Sequence, residues 1–176
     1  MKKIVQFILT GVLLLGLFGC NLESQSTIDE NRLSEEVTLI ENLQHIEHFR
    51  KGALEHILEG ELNQKGQAVG FHYDQLPTKK GEIVEGSKTE PDEFGVFEAK
   101  VIVSDVEKKS NGGKSTFFPD EWDTQDVVDA INEAYDERVF ISGNTYEGLT
   151  TEGVIIRMYL DSNEKIISAF PIYEGG

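Results

Sequence analysis

The sequence predicts an α+β fold, with N-terminal helices followed by antiparallel sheets. Three observations carry this: apolar residues recurring every three to four positions early in the chain, a second such pattern after Asp123, and two alternating segments at the end joined by a tight turn. The chain has 176 residues, enough for one domain with a real core.

The elements follow in order. Lys2 and Lys3 precede an apolar run over residues 4–17, interrupted by Gln6, Thr10 and two glycines, and Leu17-Phe18-Gly19-Cys20 follows. The run has the length of a signal-peptide core and is short for a membrane span. Its end resembles a bacterial lipobox, which implies cleavage before Cys20 and acylation of that thiol. Residues 1–19 therefore read as a lipoprotein signal peptide, residues 20–30 as a lipidated polar tether, and residues 31–176 as the folded domain.

From about residue 30, Leu33, Val37, Ile40, Leu43 and Ile46 recur at helical spacing, and a second short helix is expected over residues 51–58 with Leu54, Ile57 and Leu58 buried. Glycines and prolines then punctuate short segments. Residues 95–104 alternate, with Phe97, Ala99, Val101 and Val103 on one side and Val96, Lys100 and Ile102 on the other, as a strand would. Residues 108–114 read as a turn. Asp123 or Thr124 can cap a helix with Val127, Val128, Ile131 and Ala134 on its apolar face. Strands over residues 153–160 and 165–172 close the chain, joined through Asp161-Ser162-Asn163-Glu164.

Charge and cysteine content exclude several classes. Without Lys2 and Lys3, 14 Lys+Arg face 32 Asp+Glu, a net −18. Broad nucleic-acid affinity through basic patches is excluded, but a small local cation site is not. Cys20 is the only cysteine, so the domain has no disulfide, no thiol nucleophile and no Cys-rich zinc site.

Chemistry falls to four histidines and a few lysines. His45 and His48, three apart with Glu41 nearby, read as solvated helix histidines rather than metal ligands. His56 sits at the end of the short helix, and His72 follows Gly70-Phe71 in a loop, where backbone can approach a ligand. Gly112-Gly113-Lys114-Ser115 looks like the tail of a phosphate loop, but Lys108 stands where that motif needs a glycine, so the motif fails. Lys114 remains as a lysine beside a helix start, where anions are favoured.

These pieces join into a resemblance. His56-Ile57-Leu58-Glu59-Gly60-Glu61, Gly70-Phe71-His72, the run from Lys114 through Phe117-Phe118-Pro119 to Trp122, and Ser168-Ala169-Phe170-Pro171 stand in an order similar to the bacterial EndoU nuclease domain, over about residues 49–173, with the two histidines sixteen positions apart. The resemblance implies an RNA endonuclease that leaves 2′,3′-cyclic phosphate and 5′-OH ends and prefers uridine. It makes His56, His72 and Lys114 the catalytic residues, with Lys100 the competing lysine, and gives Ser168 and Phe170 the base. It implies no required cofactor or metal site, with Mn2+ stimulation open. Partners would be RNA, the membrane through the Cys20 lipid, and an inhibitor or immunity protein, with the chain itself a monomer on the extracytoplasmic face. The competing expectations are a catalytically inactive EndoU-like binding lipoprotein and a solute-binding or envelope lipoprotein.

Overall fold

The computed structural model describes residues 37–78 and 80–175. The signal peptide and the tether that begins at Cys20, with the start of the first expected helix, lie outside the described residues.

The chain is mixed α+β. It runs α1 (Ala53–Leu58), β1 (Glu61–Leu62), β2 (Ala68–Val69), β3 (Gly81–Ile83), β4 (Phe97–Val103), β5 (Val106–Glu107), β6 (Lys114–Phe117), α2 (Thr124–Asp136), β7 (Val139–Ser142), β8 (Thr145–Leu149), β9 (Ile155–Leu160) and β10 (Ile166–Pro171). Strands therefore stand between the two helices as well as after them, and the expected succession of helices first and sheets last is corrected.

The first expected helix does not form over residues 37–50, which hold only a 3₁₀ turn at Ile40–Asn42. The polar groups of this segment bond to another helix instead of to their own i−4 neighbours. Thr38 gives its N–H and its hydroxyl to the Asp123 carboxylate at 2.8 and 2.6 Å, and the Gln44 N–H goes to Gln125 Oε1 at 2.9 Å. His45 then takes a positive φ of 55°, which no helix interior tolerates. Val37, Ile40 and Leu43 still pack against the core, but from a non-helical segment broken only by the 3₁₀ turn.

α2 forms as its sequence predicts. Asp123 caps it in a reciprocal box with Asp126, and Val127, Val128, Ile131 and Ala134 are fully buried. It packs on an antiparallel sheet of order β10-β9-β8-β7. Gly148 on β8 makes this approach close, because a Cβ there would collide with the Ala134 carbonyl. α1 packs on β10, and these elements enclose the larger core. β7 is an exposed edge whose Val139, Phe140 and Ile141 stay largely in solvent.

A smaller core lies under the second sheet, formed by Ala68, Phe71, Phe97, Ala99, Val101, Val103 and Phe117. Here β4 pairs with β3 and β5 at its C-terminal end and with β6 at its N-terminal end. β5 and β6 thus form one return strand, interrupted by a short excursion whose 3₁₀ turn spans Ser110–Gly113. Lys108, expected in a turn, still belongs to this ladder: its N–H donates to Val101 O at 3.0 Å.

Candidate active site

The site forms where the two cores meet. His72 lies on a loop that runs between α1 and β6. Its N–H donates to Ile57 O at 2.7 Å, and its carbonyl accepts from the Phe118 N–H at 3.0 Å. Just before it, Phe71 donates to His56 O at 3.1 Å, and Gly70 lies so close that a Cβ would strike that same carbonyl. Phe71 holds φ at +63°, which costs a non-glycine residue about 1–2 kcal/mol. Burial of its ring and an edge contact with Phe117 at 5.3 Å offset that cost.

His56, at the end of α1, and His72 both face one cleft of about 590 Å³. The His56 Nδ1 lies 3.0 Å from Glu61 Oε1, and its Nε2 lies 3.1 Å from Ser168 Oγ. A carboxylate only accepts, so Nδ1 carries the proton and Nε2 is the nitrogen turned to the cleft. His72 Nδ1 lies 2.7 Å from Thr116 O. A carbonyl also only accepts, so here too Nδ1 carries the proton and Nε2 is left as the acceptor. The His72 ring stacks on Phe170 at 5.1 Å and 17°.

The two imidazoles differ in environment. Burial pushes His72 down to about 3, and the charge of Lys108 adds to this, against a small opposing effect of the Thr116 carbonyl. Burial also lowers His56, but its Glu61 partner opposes the change. One histidine is therefore held firmly neutral, while the other keeps a carboxylate that favours its protonated form.

The lysines separate by strand alternation. Ser115 and Phe117 point inward from β6, so Lys114 points outward, and its ammonium pairs with Glu98 Oε2 at 2.7 Å. Lys100, opposite Lys114 across the ladder, is exposed. Lys108 is two residues past the inward Val106 and shares its side. Its ammonium enters the cleft beside the histidines, 2.7 Å from Ser115 Oγ and 3.3 Å from Gly70 O, and burial lowers it to about 8. Lys108 is one of the cleft residues to which the sequence resemblance did not point, together with Asn144, Arg157 and Tyr159.

Of the residues singled out from sequence, His56, His72, Ser168 and Phe170 converge on the cleft; Lys114 lines its rim with the ammonium turned to Glu98. His45 and His48 are elsewhere: His45 Nδ1 meets Asp129 Oδ1 at 3.2 Å, and His48 stacks on Tyr135 at 4.3 Å. The chain has 32 Asp+Glu, yet among the described residues none lines this cleft, whereas Lys108, Lys114 and Arg157 do.

An α+β scaffold thus gathers two imidazoles and a half-buried lysine around a cleft that, among the described residues, has no carboxylate in its lining. The family model described as bacterial EndoU nuclease matches residues 50–173, and the chain belongs to that family. A protein of Bacillus cereus named "Toxin" is 45% identical over 153 residues, covering 86% of this chain. The chain spans 28% of that relative's length. No solved structure matches it.

Proposed function

We propose that the chain is an RNA endonuclease that cleaves by transphosphorylation. One observation carries this reading: His56, His72 and the half-buried Lys108 line one cleft that, among the described residues, has no carboxylate in its lining. The local cation site answers the objection raised by the net negative charge.

The chemistry divides between the two histidines. His72, held neutral by burial, takes the proton of the ribose 2′-OH on Nε2. The 2′-oxygen bonds to phosphorus while the bond from phosphorus to the 5′-oxygen breaks. His56, in the fraction that Glu61 keeps protonated against the lowering effect of burial, gives its Nε2 proton to that departing oxygen. The products are a 2′,3′-cyclic phosphate and a 5′-OH end. RNA supplies its own nucleophile, so DNA is bound but not cut. Lys108 stabilises the charge that builds on the phosphorus oxygens, worth on the order of 3 kcal/mol. Lys114, with Glu98 as its partner, serves the rim instead. Ser168 and Phe170 meet the base and favour uridine; because the Phe170 ring already stacks on His72, it also fixes the angle of that imidazole.

The relative's name extends the reading to a toxin role, with an inhibitor or immunity protein as partner. The N-terminal pattern adds a lipid anchor at Cys20 on the extracytoplasmic membrane face. The test is cleavage of oligonucleotides that carry a single ribonucleotide, each of the four in turn. The expected result is cutting beside uridine first, loss of most activity in His56→Ala and in His72→Ala, and no cutting of all-deoxy substrate. Full activity of either variant would remove the two-histidine mechanism.

A further inference from the structure

We propose that Arg157 forms a second phosphate subsite, which holds the phosphate flanking the scissile one, so that the substrate is an oligonucleotide rather than an isolated phosphodiester. This rests on the nuclease reading above and deepens it.

The cleft does not stop at the histidines. The register of the α2-backed sheet sets Ser168 beside Tyr159 and Thr145, and Phe170 beside Arg157 and Glu147. Residues opposite one another in adjacent strands share a sheet face. The face that carries Phe170 therefore continues over β9 with Arg157 and Tyr159, and Asn144 completes this end of the cleft. Arg157 stands one strand spacing, roughly 4.8 Å, from the backbone of Phe170. Phe170 in turn stacks on His72, so Arg157 lies close to the reacting groups without touching them. The Tyr159 and Phe170 rings are 6.0 Å apart and tilted by 45°, which continues an aromatic surface toward the guanidinium.

The three cations of the cleft differ in what they have left to offer. Lys108 gives two of its three N–H groups to Ser115 and Gly70, which leaves one for the scissile phosphate, and Lys114 pairs with Glu98. Arg157 turns Nε and Nη2 to one oxygen of Glu147, on the side away from Phe170. Its Nη1 has no hydrogen-bond partner among the described residues, and the side chain is 40% exposed. A guanidinium presents a planar fork of donors that suits a phosphate, and an aligned carboxylate behind it holds that fork in place. The competing account is a cross-strand ion pair that serves only the sheet. The two accounts predict different signs for removal of the carboxylate.

The probes are uridylyl-adenosine, which has one phosphate, the same dinucleotide with an added 5′- or 3′-phosphate, and a pentanucleotide. Two readouts are taken on the purified full chain: kcat/KM on the RNA set, and affinity for the matching 2′-deoxy set, which the reaction cannot consume. A second phosphate should raise both in the unmodified protein. In Arg157→Gln the ratio of longer to shortest substrate should fall about ten-fold, and Arg157→Lys should recover part of it. The salt dependence of pentanucleotide affinity should become shallower by about 0.7 in the log–log slope. Glu147→Gln should raise the ratio, because the amide oxygen still holds the fork while the negative charge that competes with the phosphate is gone. If both variants lower all substrates equally and leave the ratio unchanged, the pair is structural and the subsite is overturned. If no RNA is cut but the affinity ratios behave as stated, the subsite stands and the nuclease reading falls.

Discussion

The burial of His72 makes a quantitative demand on stability. Its imidazole is depressed to about 3 in the folded protein, mainly by burial, and titrates near 6.5 in an unfolded chain. Between those values the unfolded chain binds a proton that the folded chain refuses. Stability therefore falls as pH falls from 6.5 toward 3, by about 1.4 kcal/mol for each pH unit once well below 6.5. Integrated from pH 7 to pH 5, the loss due to this one residue is about 2 kcal/mol. His72→Asn provides the comparison, since an amide N–H can still donate to Thr116 O and does not titrate. Urea unfolding of both proteins at pH 7, 6 and 5, followed by far-UV circular dichroism, gives the two stability curves. Groups common to both cancel in the difference. The unmodified protein should lose about 2 kcal/mol more than the variant over that range. Parallel curves would refute the claim that His72 is held neutral, and with it the assignment of His72 as the base.

Two further outcomes follow. Lys108→Ala should lower cleavage by roughly 10² or more, while Lys114→Ala changes it several-fold at most, as measured by single-turnover rates; the reverse order would return the catalytic role to Lys114. Cys20→Ala should abolish metabolic labelling with palmitate and leave the protein unprocessed or released, whereas unchanged labelling would remove the lipid anchor.

What the sequence revealed depended on whether the signal was local. α2 was legible because its cap, Asp123, and its 3.6-residue apolar face are neighbours in the chain. The same periodicity misled over residues 37–46. Val37, Ile40 and Leu43 are spaced as on a helix, but Thr38 and Gln44 bond to Asp123 and Gln125 some eighty positions away, and no local pattern contains that partner. β7 was missed because an exposed edge carries Val139-Phe140-Ile141 without alternation. The order of motifs sufficed to bring His56, His72, Ser168 and Phe170 to one cleft. Choosing among the lysines needed a finer reading that the sequence does permit. Phe117 is apolar and inward, so Ser115 is inward and Lys114 outward, while Val106 and Lys108 share a side. Treating residues 108–114 as a turn discarded that alternation. Arg157 had no such signal, because its place in the cleft is set by pairing with strands fixed only in the tertiary fold.

The backbone of His72 is bonded to Ile57 of α1 and to Phe118 just past β6, both residues of the larger core, while its neighbour Phe71 is packed in the smaller one, and so His72 lies at the join between the two cores. A chain that has assembled one core but not the other possesses both imidazoles and no active centre. The proposed activity should therefore report on the integrity of both cores: opening of the smaller one, which holds Phe71 beside His72, should be enough to abolish it well short of global unfolding.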